Sequence, residues 1–410
     1  MVGNFGDPQL SALEEQVNVS NQNLAIAEAQ FRQARALIQA ARAGYFPTAG
    51  VATSDIRSSR STTLSPGQTA KRTTLTDYLL SGGVSWEPDL WGRVRRTVES
   101  GEARAQASAA DIEVTRLLVQ AELAQDYFQL RALDQERQLL VETTIAYQKN
   151  LDLTRNRYAA GVASKLEVLQ AETQLKITQA QAIDVGVQRA GLEHAIAVLV
   201  GRPASLFSIP VDLTEIVSLA IPVGVPSELL ERRPDIASSE RLMAAANAQI
   251  GVAIAAFYPN ITLSASGGFE SIDLSKWLEW PSRFWAVGAA MAETVFEGGL
   301  RRAQTDLARA AYDATVASYR QTVLTGFQEV EDNLAALRIL EEEARVQQEA
   351  VKAAKASVTL AINQYKAGTT SYLNVIVSQA AALNAERTTV DILSRQMTAS
   401  VLLVKALGGG

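Results

Sequence analysis

Two hydrophobic periods alternate along this chain, and the changeovers fall at glycine and proline. Between residues 78 and 87 the pattern repeats every second position. Tyr78, Leu80, Gly82, Val84 and Trp86 share one face, and Ser81, Gly83, Ser85 and Glu87 the other. That alternation predicts a strand with one apolar face and one small or polar face. From Gly92 the period lengthens to that of a helix. Leu117, Ala121, Ala124 and Phe128 form one stripe, and Leu123, Tyr127 and Leu130 form a second. Residues 102–160 contain neither glycine nor proline, which cost a helix interior about 1 and about 3 kcal/mol. A continuous helix over 92–159 would be roughly 100 Å long, beyond the diameter of an ordinary globular domain. Two stripes predict neighbours on both sides, as in a bundle or a closed ring of helices. A coiled-coil stalk with a single seam is the competing reading of the same residues.

Taken in order, the chain predicts an amphipathic helix over 11–43 and a short strand over 48–56. A polar loop over 57–76 follows, then the alternating strand and the long helix. The second half repeats this plan. Phe257-Tyr258-Pro259 answers Tyr45-Phe46-Pro47 at an offset of 212 residues. Beyond a loop five residues shorter, Gly299 answers Gly92 and Tyr365-Lys366-Ala367-Gly368 answers Tyr158-Ala159-Ala160-Gly161 at an offset of 207. The predicted organisation is a first repeat over 1–205 (helix, β-hairpin 48–87, long helix 92–160, returning helix) and a proline-rich linker over 206–227. A second repeat over 228–410 has a helix, β-hairpin 260–294, long helix 299–367 and a returning helix. Gly161 and Gly368 can take the left-handed conformation that ends a helix, and Ser164 and Ser371 can cap the next one.

The strands decide the class. Each is about 9–11 residues, the length that crosses a bilayer as a tilted β-strand. Their two faces suit lipid and lumen, with Tyr78, Trp86, Phe269 and Trp285 as interfacial aromatics. A pair of hairpins covering a soluble core fits the strand pattern alone. Four strands cannot close a membrane barrel, whose minimum is about eight, so several copies must share one.

Composition narrows the chemistry. A net charge of −6 argues against nucleic acid as a partner, and the absence of cysteine excludes disulfides and thiol chemistry. The single histidine, His194, lies in an apolar helical run with no second ligand pattern beside it, which favours a structural role. Glu329, Glu331, Asp332 and Glu341-Glu342-Glu343 point in different directions around a helix, as on a solvated or lumen-lining face. No apolar run approaches the roughly 18 residues of a membrane-spanning helix. The opening Met1-Val2-Gly3-Asn4 lacks the basic start and apolar stretch of a signal peptide, as expected of an intracellular protein or a processed form.

Several motifs together resemble the outer-membrane efflux channels of Gram-negative bacteria, the TolC/OprM-like outer-membrane factors, closest to the OprM/NodT branch. They are Ala43-Gly44-Tyr45-Phe46-Pro47, Trp86-Glu87-Pro88-Asp89-Leu90-Trp91-Gly92-Arg93, Arg157-Tyr158-Ala159-Ala160-Gly161-Val162-Ala163-Ser164 and Leu229-Leu230-Glu231-Arg232-Arg233-Pro234-Asp235-Ile236. Ala256-Phe257-Tyr258-Pro259, Phe327-Gln328-Glu329-Val330-Glu331-Asp332 and the ending Lys405-Ala406-Leu407-Gly408-Gly409-Gly410 continue the likeness.

The resemblance implies a mainly α protein with a membrane β-barrel portion. It would be a homotrimer whose twelve-stranded barrel in the outer membrane continues into a twelve-helix periplasmic tunnel. It further implies a periplasmic adaptor and an inner-membrane pump as partners, contact with outer-membrane lipid, no enzyme activity and no cofactor. Tyr158, Gly161, Ser164, Tyr365, Gly368 and Ser371 would form the adaptor-docking tips, though simple turn-forming explains the glycines and serines equally well. Leu373 would be a gate residue, with Val377 standing where relatives often carry an aspartate. Packing between helices is the other role open to Leu373 and Val377. The implied function is the exit duct of a tripartite efflux pump for small toxic molecules. A duct for type I protein secretion and a non-conducting adhesive stalk are the competing readings.

Overall fold

A computed structural model of the chain describes residues 6–59, 74–213 and 232–409. Most of the expected loop over 57–76, most of the linker over 206–227, and Leu229-Leu230-Glu231 lie outside the described residues. Seven helices are described: α1 (Pro8–Ser20), α2 (Gln22–Arg42), α3 (Arg93–Ala159), α4 (Lys165–Leu199), α5 (Pro234–Ala255), α6 (Leu300–Lys366) and α7 (Tyr372–Ala406). The strands are β1 (Thr48–Ser59), β2 (Thr74–Trp86), β3 (Asn260–Ser271) and β4 (Arg283–Ala292). Among the described residues no helix is long and apolar enough to cross a membrane.

The long helices carry the repeat to the residue. Arg93 and Leu300 open α3 and α6, and Ala159 and Lys366 close them, 207 residues apart at each end. α4 and α7 obey the same offset, and each spans 35 residues. Each start is fixed by local chemistry. Asp89 accepts hydrogen bonds from the backbone N–H of Val94 (2.9 Å) and Arg95 (2.8 Å), which satisfies two orphan donors of the first turn of α3. Glu297 accepts from the N–H of Arg301 at 2.8 Å and does the same for α6.

The chain divides into two compact units, each drawing on both halves of the sequence. One comprises Met1–Ala29, Ala109–Ala237 and Arg320–Gly410; the other comprises Gln30–Ser108 and Ser238–Tyr319. In the first unit both predicted stripes of α3 are buried. Ala121, Ala124 and Phe128, together with Leu123, Tyr127 and Leu130, join Leu10, Val17, Ile196 and Met397 in one core. Burial of each large apolar side chain contributes about 1.5–3 kcal/mol. A single-seam stalk leaves the second stripe bare, so this packing removes that reading.

One expectation is corrected here. The helix predicted over 11–43 is two helices, because Asn21 takes extended φ and ψ values and caps the second. Its Oδ1 accepts from the N–H of Asn23 (2.9 Å) and Leu24 (3.2 Å), while its Nδ2 donates to the carbonyl of Leu199 at 2.8 Å. Hydrophobic period alone does not register such a cap. Gly326, the one glycine within the second long helix, leaves α6 continuous. A Cβ there would lie 3.3 Å from Nε of Arg233, whose buried guanidinium pairs with Glu329 and Asp235 and donates to the carbonyl of Ala406.

In the second unit the four strands form one antiparallel sheet, in the order β1-β2-β3-β4. The register sorts side chains by face. Val51, Gly82, Gly267 and Trp285 lie at one level, next to Ala49, Val84, Ala265 and Val287. Thr48, Ser85, Ser264 and Gly288 occupy a level of the opposite face. The apolar face is solvent-bare in the single chain: Val51 is 81% exposed and Trp285 78%. Tyr78 and Trp86 stand at opposite ends of that face, with Phe269 level with Leu80 and Trp285 level with Gly82 between them. At the Trp86 end, Trp91 stacks on Tyr258 (4.8 Å between centroids) and donates its indole N–H to the carbonyl of Pro259 at 2.7 Å.

Candidate functional site

The candidate site is the pair of turns that end α3 and α6, with the first turns of α4 and α7. The turns are built alike. Gly161 and Gly368 each have φ of 77°, a conformation that side chains resist. Their N–H groups donate to the carbonyls of Tyr158 (2.9 Å) and Tyr365 (3.0 Å), and those of Val162 and Thr369 reach back to Arg157 and Gln364. No atom lies within 4 Å of a Cβ built at either glycine, so backbone conformation rather than crowding demands glycine there.

The caps differ, which corrects one expectation. Ser164 forms a full capping box: its Oγ accepts from the N–H of Glu167, and its own N–H donates to the Glu167 carboxylate at 3.1 Å. Ser371 occupies the cap position of α7, yet its side chain makes no capping bond. The third helical residue there is Asn374, whose amide turns to Thr370 and cannot return the bond as Glu167 does.

The two tyrosines that the repeat equates are in opposite environments. Tyr158 is exposed, with the ammonium of Lys165 above its ring at 5.8 Å. Tyr365 is 3% exposed and meets Tyr372 edge-on at 5.2 Å. Around them Tyr147, Leu151, Val168, Leu175 and Val375 close a core of their own. Burial pushes the Tyr372 hydroxyl well above the usual tyrosine range, reinforced by Tyr365 and Tyr147, so this core holds neutral phenols.

Arg157 joins the turns. Its Nη1 donates to the carbonyl of Lys366 at 2.9 Å, and its guanidinium lies 4.7 Å from the centre of the Tyr365 ring. Sequence reasoning passed over this residue. The signal was there: at 207 residues beyond Arg157 stands Gln364, so the cation is unique to one turn. The exposed surface of the first turn is apolar, with Val162 and Leu166 both bare.

Leu373 and Val377 lie one helical turn apart on α7, 53% and 61% exposed. The same helix buries Tyr372, Val375, Gln379 and Ala382 on its other side. Neither residue packs into the core of its own chain. Of the acidic side chains weighed for chemistry, Glu329 is committed to Arg233, while Glu331, Asp332, Glu341 and Glu342 are exposed. His194 is exposed on α4. Among the described residues no group of three histidine or acidic side chains gathers as a metal site. The geometry offers an apolar surface at the first turn and a bare aliphatic pair on α7.

Known proteins share this fold. The sequence model of the outer membrane efflux protein family matches residues 13–202 and 225–409. The toluene efflux pump outer membrane protein TtgC of Pseudomonas putida is 33% identical over 409 residues, covering 99% of this chain and 84% of that protein. The antibiotic efflux pump outer membrane protein ArpC of Pseudomonas putida shows the same identity and coverage. Among solved structures, the outer-membrane channel OprN superposes with a TM-score of 0.91 at 32% identity, covering 99% of this chain and 91% of that one.

Proposed function

This chain belongs to the outer membrane efflux protein family, and from that membership we propose how its two ends serve an efflux duct. The protein is an outer-membrane component of an efflux pump, extending from the outer membrane into the periplasm. It is a passive conduit rather than an enzyme. The observation that carries this is the likeness to OprN over 99% of the chain at a TM-score of 0.91. Work with an adaptor and an inner-membrane pump follows from being one component of such a pump.

Beyond that, three copies assemble, giving twelve strands and twelve long helices around one path, with the apolar sheet face against lipid. The turns carrying Tyr158, Gly161, Ser164, Tyr365, Gly368 and Ser371 receive the adaptor. Leu373 and Val377 from three copies narrow the path as an aliphatic ring that closes by dewetting. Tyr365 acts within its tyrosine core, behind the surface that Tyr158, Val162 and Leu166 offer. Toluene and antibiotics in the names of the relatives favour small molecules over secreted proteins as cargo.

Purified protein in planar bilayers, with its copy number measured in detergent, tests the reading. Trimers that conduct ions, at least in bursts, are expected. A non-conducting trimer, even after the tips are altered, would instead favour a structural stalk.

A further inference from the structure

A cavity of about 1270 Å³ lies among α3, α4, α6 and α7, all within the first compact unit. Leu133, Leu192, Ile339 and Leu402 give it apolar surface, and the amides of Gln129, Gln188 and Asn384 give it hydrogen-bonding groups. Drug-sized ligands occupy pockets of about 300–1,000 Å³ with this mixture of apolar wall and few polar groups. The charges that line it cancel. Glu136 and Asp391 are acids, and Arg387 and Arg395 are bases. Oε1 of Glu136 accepts from both Nε (2.7 Å) and Nη2 (2.6 Å) of Arg387. Arg395 reaches Glu343 at 3.5 Å and Asp391 at 3.9 Å. An ionic guest would lose water here without meeting a spare counter-charge, and a neutral guest would not.

The helical period fixes which side the cavity faces. On α7 its lining residues Asn384, Thr388, Asp391, Arg395, Thr398 and Leu402 recur at spacings of three and four. Val377 stands seven residues before Asn384 and Leu373 four before that, so the bare pair shares this face. On α3, Gln129, Leu133 and Glu136 lie on the side away from Leu123, Tyr127 and Leu130, which pack with Leu10 and Val17 of α1. The cavity is thus on the far side of α3 from α1 and on the Leu373 face of α7. Its near end is roughly 10 Å along α7 from Val377, at about 1.5 Å per residue.

We infer that this cavity is a cargo station in the wall of the duct, where a neutral, amphipathic organic molecule binds, one to each chain. The station deepens the small-molecule reading and rests on Leu373 and Val377 facing the path. Cargo that has passed that aliphatic pair meets the cavity next.

The protein in lipid nanodiscs, with empty nanodiscs as the blank, is dialysed to equilibrium against two probes. They are radiolabelled chloramphenicol, a neutral amphipathic nitroaromatic, and ethidium, a planar cation. Chloramphenicol should bind saturably, and ethidium should not. Ala336→Trp and Ile339→Trp place an indole in the cavity from α6 and should each weaken chloramphenicol binding about tenfold or more. Ile26→Trp, exposed on α2 and outside the cavity, should leave it unchanged. Arg387→Met leaves the Glu136 carboxylate without its cation, so this variant should gain ethidium binding. No saturable chloramphenicol binding, equal binding of ethidium by the unaltered protein, or full binding in both cavity variants would overturn the station. With normal bilayer conductance in the same preparations, any of these leaves the duct reading standing. Unaltered protein that neither binds nor conducts would overturn both. Cavity variants that no longer assemble would mean that a neighbouring copy fills the cavity, which also overturns the station.

Discussion

At Asp134 two arginines share one carboxylate out of reach of solvent. Arg131 donates to its Oδ2 at 3.1 Å and Arg189 to its Oδ1 at 2.7 Å, and the aspartate side chain is fully buried. The same guanidinia donate to the carbonyls of Pro210 and Ile209, so this network pins the start of the connector between the halves. Asp134→Ala would take this carboxylate from the buried Arg131 and leave Arg189 with Glu193 alone, and a loss of about 3–5 kcal/mol is expected, read as a fall in Tm. Glu14 is the opposite case. It is buried on α1, its Oε1 has no hydrogen-bond partner, and burial pushes its carboxyl up to about 7 from 4.5. The folded protein therefore binds the proton more tightly than the unfolded chain between those values, and stability falls as pH rises through that window. Glu14→Gln should flatten the dependence of Tm on pH between about 4.5 and 7, raising Tm chiefly at neutral pH.

Among the elements, the two returning helices test what a cap contributes. Ser164→Ala breaks a capping box, and about 1 kcal/mol of local stability should be lost in the first turn of α4. Ser371→Ala removes no capping bond and should leave α7 nearly unchanged. Amide exchange in the two first turns separates these outcomes; equal protection losses would contradict the assigned caps. The turns themselves depend on glycine at positive φ. Replacing Gly161 or Gly368 with valine should abolish efflux in cells while leaving the copy number in detergent intact. Normal drug resistance in such variants would remove these turns from adaptor docking. The long helices, the paired glycine turns and the strand faces were legible because each follows from short-range periodicity or from one residue type. The break at Asn21 was not, because its amide is held by Leu199, far away in sequence.

For the whole molecule, the bare pair on α7 sets the sharpest expectation. With Val377 at the constriction, Val377→Asp would add an acidic ring, reduce conductance and make it sensitive to magnesium. Conductance unchanged with and without magnesium would mean that Val377 faces a neighbouring helix instead. The order of residues was enough to establish the mainly helical class, the strand faces, the register of the repeat and the membership in a family of efflux channels. Local period, turn chemistry and motif order suffice for each of these. Only the folded chain reveals which of two equivalent side chains is buried. Tyr365 lies in a core and Tyr158 in solvent, although their local sequences correspond, because distant residues on α3, α4 and α7 surround one and not the other. The same holds for Arg157 bridging two turns and for Gly326 making room for Arg233. Repeats set backbone course, but burial is settled by partners that the repeat does not copy.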